Sequence, residues 1–267
     1  MDFLEKITKN PYENLYWNIP EGQKKGELLI LGGNEKNFRT PVKISEFATE
    51  KFPLKSVRTA MADGLKSKFP PLENLVFLKT TDAGTFADAK ELQGLIDAAD
   101  FSLIVGDLSK NSVTSKAVLS ALKDSERPVL ITRDTVDLIA DSREETVLMR
   151  PDFTIMGSIP QWQKLLHNIY YPKMLQPSQS LVQVAETFHK FTLSYPAQVI
   201  TLHEGQIIVA KNGMVKVVTL ADSGYSPLTF WNGELAAKIA AMNVFSPNQF
   251  LEATVAGLFL QKNPSAN

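Results

Sequence analysis

Short apolar runs alternate along this chain with longer segments of helical period. Residues 27–31 (ELLIL) end at Gly32-Gly33, and residues 75–78 (LVFL) form a second run. Residues 101–105 (FSLIV) stop at Gly106, and residues 128–132 (PVLIT) run into Arg133-Asp134. Each run is four or five residues long and apolar on both faces, the pattern of strands buried in a parallel sheet. Residues 41–52, 55–69, 87–98 and 112–123 carry helical spacing between them. Ser112 reads as an N-cap, with Val113, Ala117, Val118 and Leu122 on one stripe. Strand–helix alternation predicts right-handed crossovers and a layered α/β fold.

The last third changes character. Residues 198–202 (QVITL) precede QIIVAKNGMVKVVTL, two strand patterns around Asn212-Gly213, a strong hairpin signal. The chain then turns through ADSGYSP into helical patterns over 232–242 and 248–261. No composition shift marks a linker. The expected organisation is one domain over 26–267 behind a flexible N-terminal extension, residues 1–25, without internal repeats.

Charge and composition then exclude whole classes. With 28 Lys+Arg against 29 Asp+Glu in 267 residues, no basic face exists to neutralise a nucleic-acid backbone or anionic lipid. Cysteine is absent, which removes disulfides, thiolate nucleophiles and Cys-type zinc sites. His167, His189 and His203 are too far apart for a local metal motif. No apolar run approaches the ~18 residues of a membrane span, and the N-terminus lacks the apolar core of a signal peptide. A cytoplasmic, soluble protein with no nucleic-acid or membrane partner is expected.

Candidate chemistry follows from the strand ends, because an open parallel sheet binds ligands beyond its carboxyl edge. Four loops qualify: Gly32-Gly33-Asn34, Gly106-Asp107-Leu108, Arg133-Asp134 and Met156-Gly157-Ser158. The stretch GGNEKNFRT, Gly32 to Thr40, either brings backbone close to a phosphate or is simply a turn; the third glycine of the Rossmann pattern is missing. Asp107 and Asp134 bind a ribose, hold a cation or cap the helix that follows each. In FWNGELAAKIAAM, the Asn232-Gly233 turn delivers Glu234 into an apolar helix. Unpaired N–H groups at such a helix start make an anion site, and an acid beside bound phosphate suits proton transfer. The plainer alternative makes Asn232 an N-cap and Glu234 a first-turn acid. His203 ends QVITL and either meets a phosphate or adenine or is a turn residue. Trp162 and Trp231 stack on a base or pack in the core. Neither a Gly-x-Ser-x-Gly elbow nor a Walker A pattern is present.

The order of these features resembles the ribokinase-like superfamily and, within it, the ADP/ATP-dependent NAD(P)H-hydrate dehydratase family, over roughly residues 26–262. That family has a Gly-Gly-Ser loop ending in Gly-Ala where this chain has LILGGNEKNFRTP, and Gly-Pro-Gly-Leu-Gly where it has LIVGDLSKN. Its Asp-Ala-Asp-Ala-Leu-Asn falls on TRDTVDLIA, with Asp134 at the second acid. Its Thr-Pro-His-x-Gly-Glu falls on MGSIPQW, with Ser158 at the histidine and Gln161 at the glutamate. Its Lys-Gly falls on His203-Glu204, and its Gly-Gly-Thr-Gly-Asp on FWNGE.

The resemblance implies a three-layer fold: a mostly parallel sheet, helices on both faces and a late hairpin. It makes Glu234 the catalytic base and assigns His203, Asn232 and Gly233 to nucleotide. Gly33, Thr40, Gly106, Asp134, Ser158 and Gln161 go to substrate, with no metal ligand from the protein. The implied ligands are ADP or ATP with Mg²⁺ and an NAD(P)H-related molecule, and the implied assembly is a homo-oligomer. The departures carry physical weight. Phe230 and Trp231 add bulk where glycines would admit a phosphate. The extra methylene of Glu234 moves a carboxylate by about an ångström, enough to cost ~100-fold in rate. A catalytically impaired or inactive nucleotide-binding relative is therefore expected, the alternatives being a non-catalytic binding or scaffold protein and a small-molecule kinase acting on a vitamin precursor or sugar.

Overall fold

The computed structural model describes residues 2–34, 36–81, 84, 86–108 and 112–260. Glu35, in the glycine-rich loop, and Gln261, at the end of the last expected helix, lie outside the described residues. The strands are β1 (Leu4–Ile7), β2 (Glu27–Leu31), β3 (Ser56–Ala62), β4 (Leu75–Leu78), β5 (Phe101–Ile104), β6 (Val129–Thr132), β7 (Phe153–Met156), β8 (Gln198–His203), β9 (Gln206–Lys211) and β10 (Met214–Thr219). Among the described residues they form one sheet in the order β1-β10-β9-β8-β7-β6-β5-β2-β3-β4. From β8 across to β4 every pairing is parallel. The expected hairpin at Asn212-Gly213 joins β9 to β10 antiparallel, and β9 also runs antiparallel to β8.

Helices cover both faces. On one side lie α1 (Arg39–Lys51) and, later in the chain, α9 (Glu234–Phe245) and α10 (Phe250–Phe259), with the short α7 (Leu220–Ser223) and α8 (Pro227–Trp231) before them. On the other lie α2 (Ala89–Asp97), α3 (Ser112–Asp124), α4 (Asp134–Ser142), α5 (Ile159–Asn168) and α6 (Leu181–Ser194). The strands feed both layers: Leu29 and Leu31 of β2 point to the α2–α6 side, and Leu28 and Ile30 to the α1/α9/α10 side. That explains why these runs are apolar throughout. All residues of α9 from Leu235 to Phe245 are buried. Its one cation, Lys238, is held by the Tyr225 hydroxyl at 2.7 Å and the Leu260 carbonyl at 2.8 Å. No helix among the described residues is long and apolar enough to cross a membrane.

Three expectations are corrected. Residues 55–69 are not a helix: they form β3 and then a 3-10 turn over Asp63–Lys68. Val57, Ala60, Met61 and Leu65 imitate helical spacing because both faces of this strand are covered, so its alternation is lost. The first 25 residues are not a loose arm. Leu4–Ile7 pair in parallel with Val215–Val218, and the Tyr16 hydroxyl donates to the Ala256 carbonyl at 2.9 Å. Ser112 is the first residue of α3 rather than its cap.

Candidate functional site

The loops leaving β2, β5, β6 and β7 are tied into one unit. Gly33 N–H donates to the Gly106 carbonyl at 3.1 Å, and Asn34 Nδ2 to the Asp107 carbonyl at 2.7 Å. Asp134 Oδ1 accepts the Asp107 N–H at 2.7 Å. Gly106, with φ 86°, lies so close beneath that carboxylate that a Cβ would sit 1.9 Å from Asp134 Oδ1. One strand further, Gln161 Nε2 donates to the Arg133 carbonyl at 2.7 Å and to Asp137 Oδ2 at 2.9 Å. Ser158 and Gln161 form the capping box of α5, with the Ser158 N–H on Gln161 Oε1 at 3.0 Å. Gly33, Gly106, Asp134, Ser158 and Gln161 are thus brought together, and what their bonds do is hold the backbone of Asp107 and Arg133.

Of those two residues, Asp107 is a ribose, cation or capping candidate from sequence, and Arg133 has no role assigned from sequence beyond its place in a strand-end loop. Both are non-glycine residues at positive φ, 57° for Asp107 and 59° for Arg133. Such conformations cost of order 1–3 kcal/mol and cluster where function demands them. Their side chains pair, Arg133 Nη2 lying 3.4 Å from Asp107 Oδ2, while the buried Arg133 Nε has no hydrogen-bond partner among the described residues. Burial pushes the Asp107 carboxyl above the usual range; Arg133 opposes the shift and the neighbouring Asp134 reinforces it.

Asp107 and Arg133 line a cavity of about 590 Å³ with Lys36, Phe38, Arg39 and Thr40 from the start of α1. Lys36 and Arg39 form no ion pair among the described residues. Phe38, at the N-cap of α1, offers no side-chain cap, and the first turn carries no acid. Three cations and an uncapped helix start therefore face one carboxylate, an arrangement suited to an anionic group. A sequence signal existed: two basic residues sit just ahead of Pro41, a residue favoured in a helix's first turn.

The start of α9 is built separately. Gly233 takes φ 98° with its Cα against Ile44 of α1, where a Cβ would meet Ile44 Cδ1 at 2.3 Å. The N–H of Glu234 donates to Asn232 Oδ1 at 2.9 Å. Glu234 is half-buried; its charge, after burial, helps to raise the Tyr225 hydroxyl above its ordinary range. Phe230 is fully buried and Trp231 half-buried, their rings edge-on at 4.5 Å in the layer beneath α9. His203 is buried with Nε2 2.7 Å from the Gln179 carbonyl oxygen. Trp162 is a core residue between Phe188 and Phe191. Among the described residues no hydrogen bond links Glu234 or His203 to the Asp107–Arg133 unit.

No protein-family model matches the sequence, and no curated protein does. Solved structures match over nearly the whole chain. A ribokinase-like superfamily protein from Enterococcus faecalis aligns over 97% of this chain and 85% of its own, at 14% identity and a TM-score of 0.64. The fold is ribokinase-like. A hypothetical protein from Streptococcus mutans gives a TM-score of 0.63 at 15% identity, over 92% of this chain and 86% of its own. The ADP/ATP-dependent NAD(P)H-hydrate dehydratase of Bacillus subtilis, co-crystallised with ATP and Mg²⁺, gives 0.59 at 13% identity, over 93% and 84%. The Asp107–Arg133 cavity follows the carboxyl ends of β5 and β6, and the start of α9 meets the same helix, α1, through Gly233 against Ile44.

Proposed function

We propose that this chain binds a phosphate-bearing small molecule at the carboxyl ends of β2, β5 and β6, and that the nucleotide-dependent hydro-lyase chemistry of the dehydratase family is attenuated in it. The observation that carries the reading is the cavity of Lys36, Arg39 and Arg133 at the uncapped start of α1. Attenuation is supported at α9. There the Glu234 amide already has an acceptor in Asn232, and Phe230 and Trp231 stand where the resembled motif has glycines.

ADP or ATP, with Mg²⁺ carried on its phosphates, is the co-substrate the resemblance implies, and the Bacillus subtilis neighbour was crystallised with ATP and Mg²⁺. Gly233 retains the positive φ that a phosphate-cradling turn uses. Asn232 Oδ1 would first have to leave the Glu234 amide, and His203 the Gln179 carbonyl. Glu234 would then be the base and Gly233 the anion-stabilising turn.

The test pairs binding with turnover. Calorimetric titration with pyrophosphate should show binding that Arg133→Ala weakens and Glu234→Gln leaves unchanged. Incubation with hydrated NADH and Mg-ATP should restore no NADH absorbance. Restoration that disappears in Glu234→Gln would replace this reading with an active dehydratase, and absence of pyrophosphate binding would remove the ligand class.

A further inference from the structure

We propose that β4, at one outer edge of the sheet, joins two copies of this chain by pairing antiparallel with its own copy. β4 is the last strand in the sheet order, and Leu75, Val76 and Phe77 in it are only half-buried. An apolar edge strand is a template for another strand unless charge or proline blocks it. Leu75–Leu78 contains neither. Pro70-Pro71 before it and the Thr80–Phe86 bridge after it bound the free segment.

The available backbone groups follow from the pairing with β3. Thr59 N–H donates to the Asn74 carbonyl at 2.8 Å, so Asn74, Val76 and Leu78 turn their polar groups toward β3. Alternation along the strand turns those of Leu75 and Phe77 outward. The Leu72 carbonyl takes the Leu75 N–H at 3.1 Å. The Phe77 N–H and the carbonyls of Leu75 and Phe77 are left without partners among the described residues.

The sequence of the segment selects the occupant. A twofold axis normal to the sheet lays a strand antiparallel beside its copy and sets residues of one face opposite residues of the same face. With that axis at Val76, residues 73–79 (ENLVFLK) complement themselves. Val76 meets the partner's Val76, Leu75 meets the partner's Phe77, and Glu73 meets the partner's Lys79. Phe77 N–H then faces the partner's Leu75 carbonyl, and symmetry supplies the reciprocal bond. Glu73 and Lys79 are exposed, and neither forms an ion pair among the described residues. Moving the axis to Phe77 would set Lys79 against Leu75 and lose the charge match. The opposite edge of the sheet lacks this property. An axis through the middle of β1 sets Glu5 against the partner's Glu5, or Lys6 against the partner's Lys6, and like charges directly opposite are destabilising. Glu5 is in addition already held by Lys216.

The test reads both association and register. Sedimentation velocity over a concentration series should show reversible exchange between monomer and dimer. The chain has no cysteine, so one introduced thiol reports only its own neighbour. Val76→Cys should form a disulfide-linked dimer on mild oxidation, because facing residues of a non-hydrogen-bonded pair stand about 4.5 Å apart at Cα, within disulfide reach. Leu75→Cys should not, since it faces Phe77 rather than its own copy. Glu73→Lys and Lys79→Glu should each weaken dimerisation about tenfold, and the two together should restore it. A chain that stays monomeric up to about 0.1 mM would overturn the proposal. So would a link that forms as readily in Leu75→Cys as in Val76→Cys, or a double charge variant no better than the single ones.

Discussion

Asp107 and Arg133 follow adjacent strands, both at positive φ, and pair across the gap, Nη2 to Oδ2 at 3.4 Å. Side chains with a Cβ resist that backbone region by roughly 1–2 kcal/mol, whereas glycine enters it freely. Arg133→Gly should therefore be more stable than Arg133→Ala by about 1–2 kcal/mol in chemical denaturation, although both lose the cation equally. Equal stabilities would show that Arg133 stores no backbone strain.

Gly106 presents a stricter requirement. Gly106→Ala adds a Cβ 1.9 Å from Asp134 Oδ1 at φ 86°, so either the carboxylate leaves the Asp107 amide or the β5 loop shifts. A loss of more than about 2 kcal/mol is expected. Gly205→Ala is the control, because Gly205 has a similar φ of 72° and nothing within 4 Å; it should cost only about 1 kcal/mol. Matching losses in the two variants would rule out the steric account.

The two variants also mark what the sequence could and could not disclose. β2 and β4 fall on their expected residues, and the Asn212-Gly213 hairpin and the turn into α9 are where local chemistry put them, since burial on both faces and turn residues leave direct traces. β3 was misread because a strand covered on both sides loses its alternation. β1 was missed because LEKI owes its state to the distant edge of β10, a contact no window of sequence contains. At the site, Gly33, Gly106, Asp134, Ser158 and Gln161 were legible as a group. Of the residues they position, Asp107 was legible as a strand-end acid and Arg133 was not. Nothing in the letters of Asp107 or Arg133 announces a positive φ, and Arg133 meets Lys36 and Arg39 only after the β2 and β6 loops converge.

Lys211 gives the chain a pH signature. Burial beneath Phe250 lowers its ammonium to about 8. In the unfolded chain a lysine keeps its proton to about pH 10.4. Between pH 8 and 10 the unfolded state therefore holds more protons, and stability rises with pH, by at most ~1.4 kcal/mol per pH unit. Above pH 10 the sign reverses, because Tyr16 and Tyr195, raised to about 12, keep phenolic protons that the unfolded chain gives up. Urea denaturation from pH 7.5 to 9.5 should show the rise in wild type and its absence in Lys211→Met. The same slope in both would assign the effect elsewhere.

Gln161 stands where the resembled family carries a glutamate, and the structure gives a reason for the amide. Its Nε2 serves two acceptors, the Arg133 carbonyl at 2.7 Å and Asp137 Oδ2 at 2.9 Å, while its Oε1 accepts the Ser158 N–H. A carboxylate could keep only the last of these and would face Asp137 with like charge. Gln161→Glu should cost about 2 kcal/mol or more at pH 7. The introduced carboxyl would hold its proton more tightly in the folded than in the unfolded chain. Its charge penalty should vanish below about pH 4 and grow as pH rises toward 7. Because the lost bond anchors Arg133, pyrophosphate affinity should fall as well. A variant equally stable at pH 4 and pH 7, or one that binds pyrophosphate more tightly, would mean that the acid is compatible with this site and that Gln161 does not anchor Arg133.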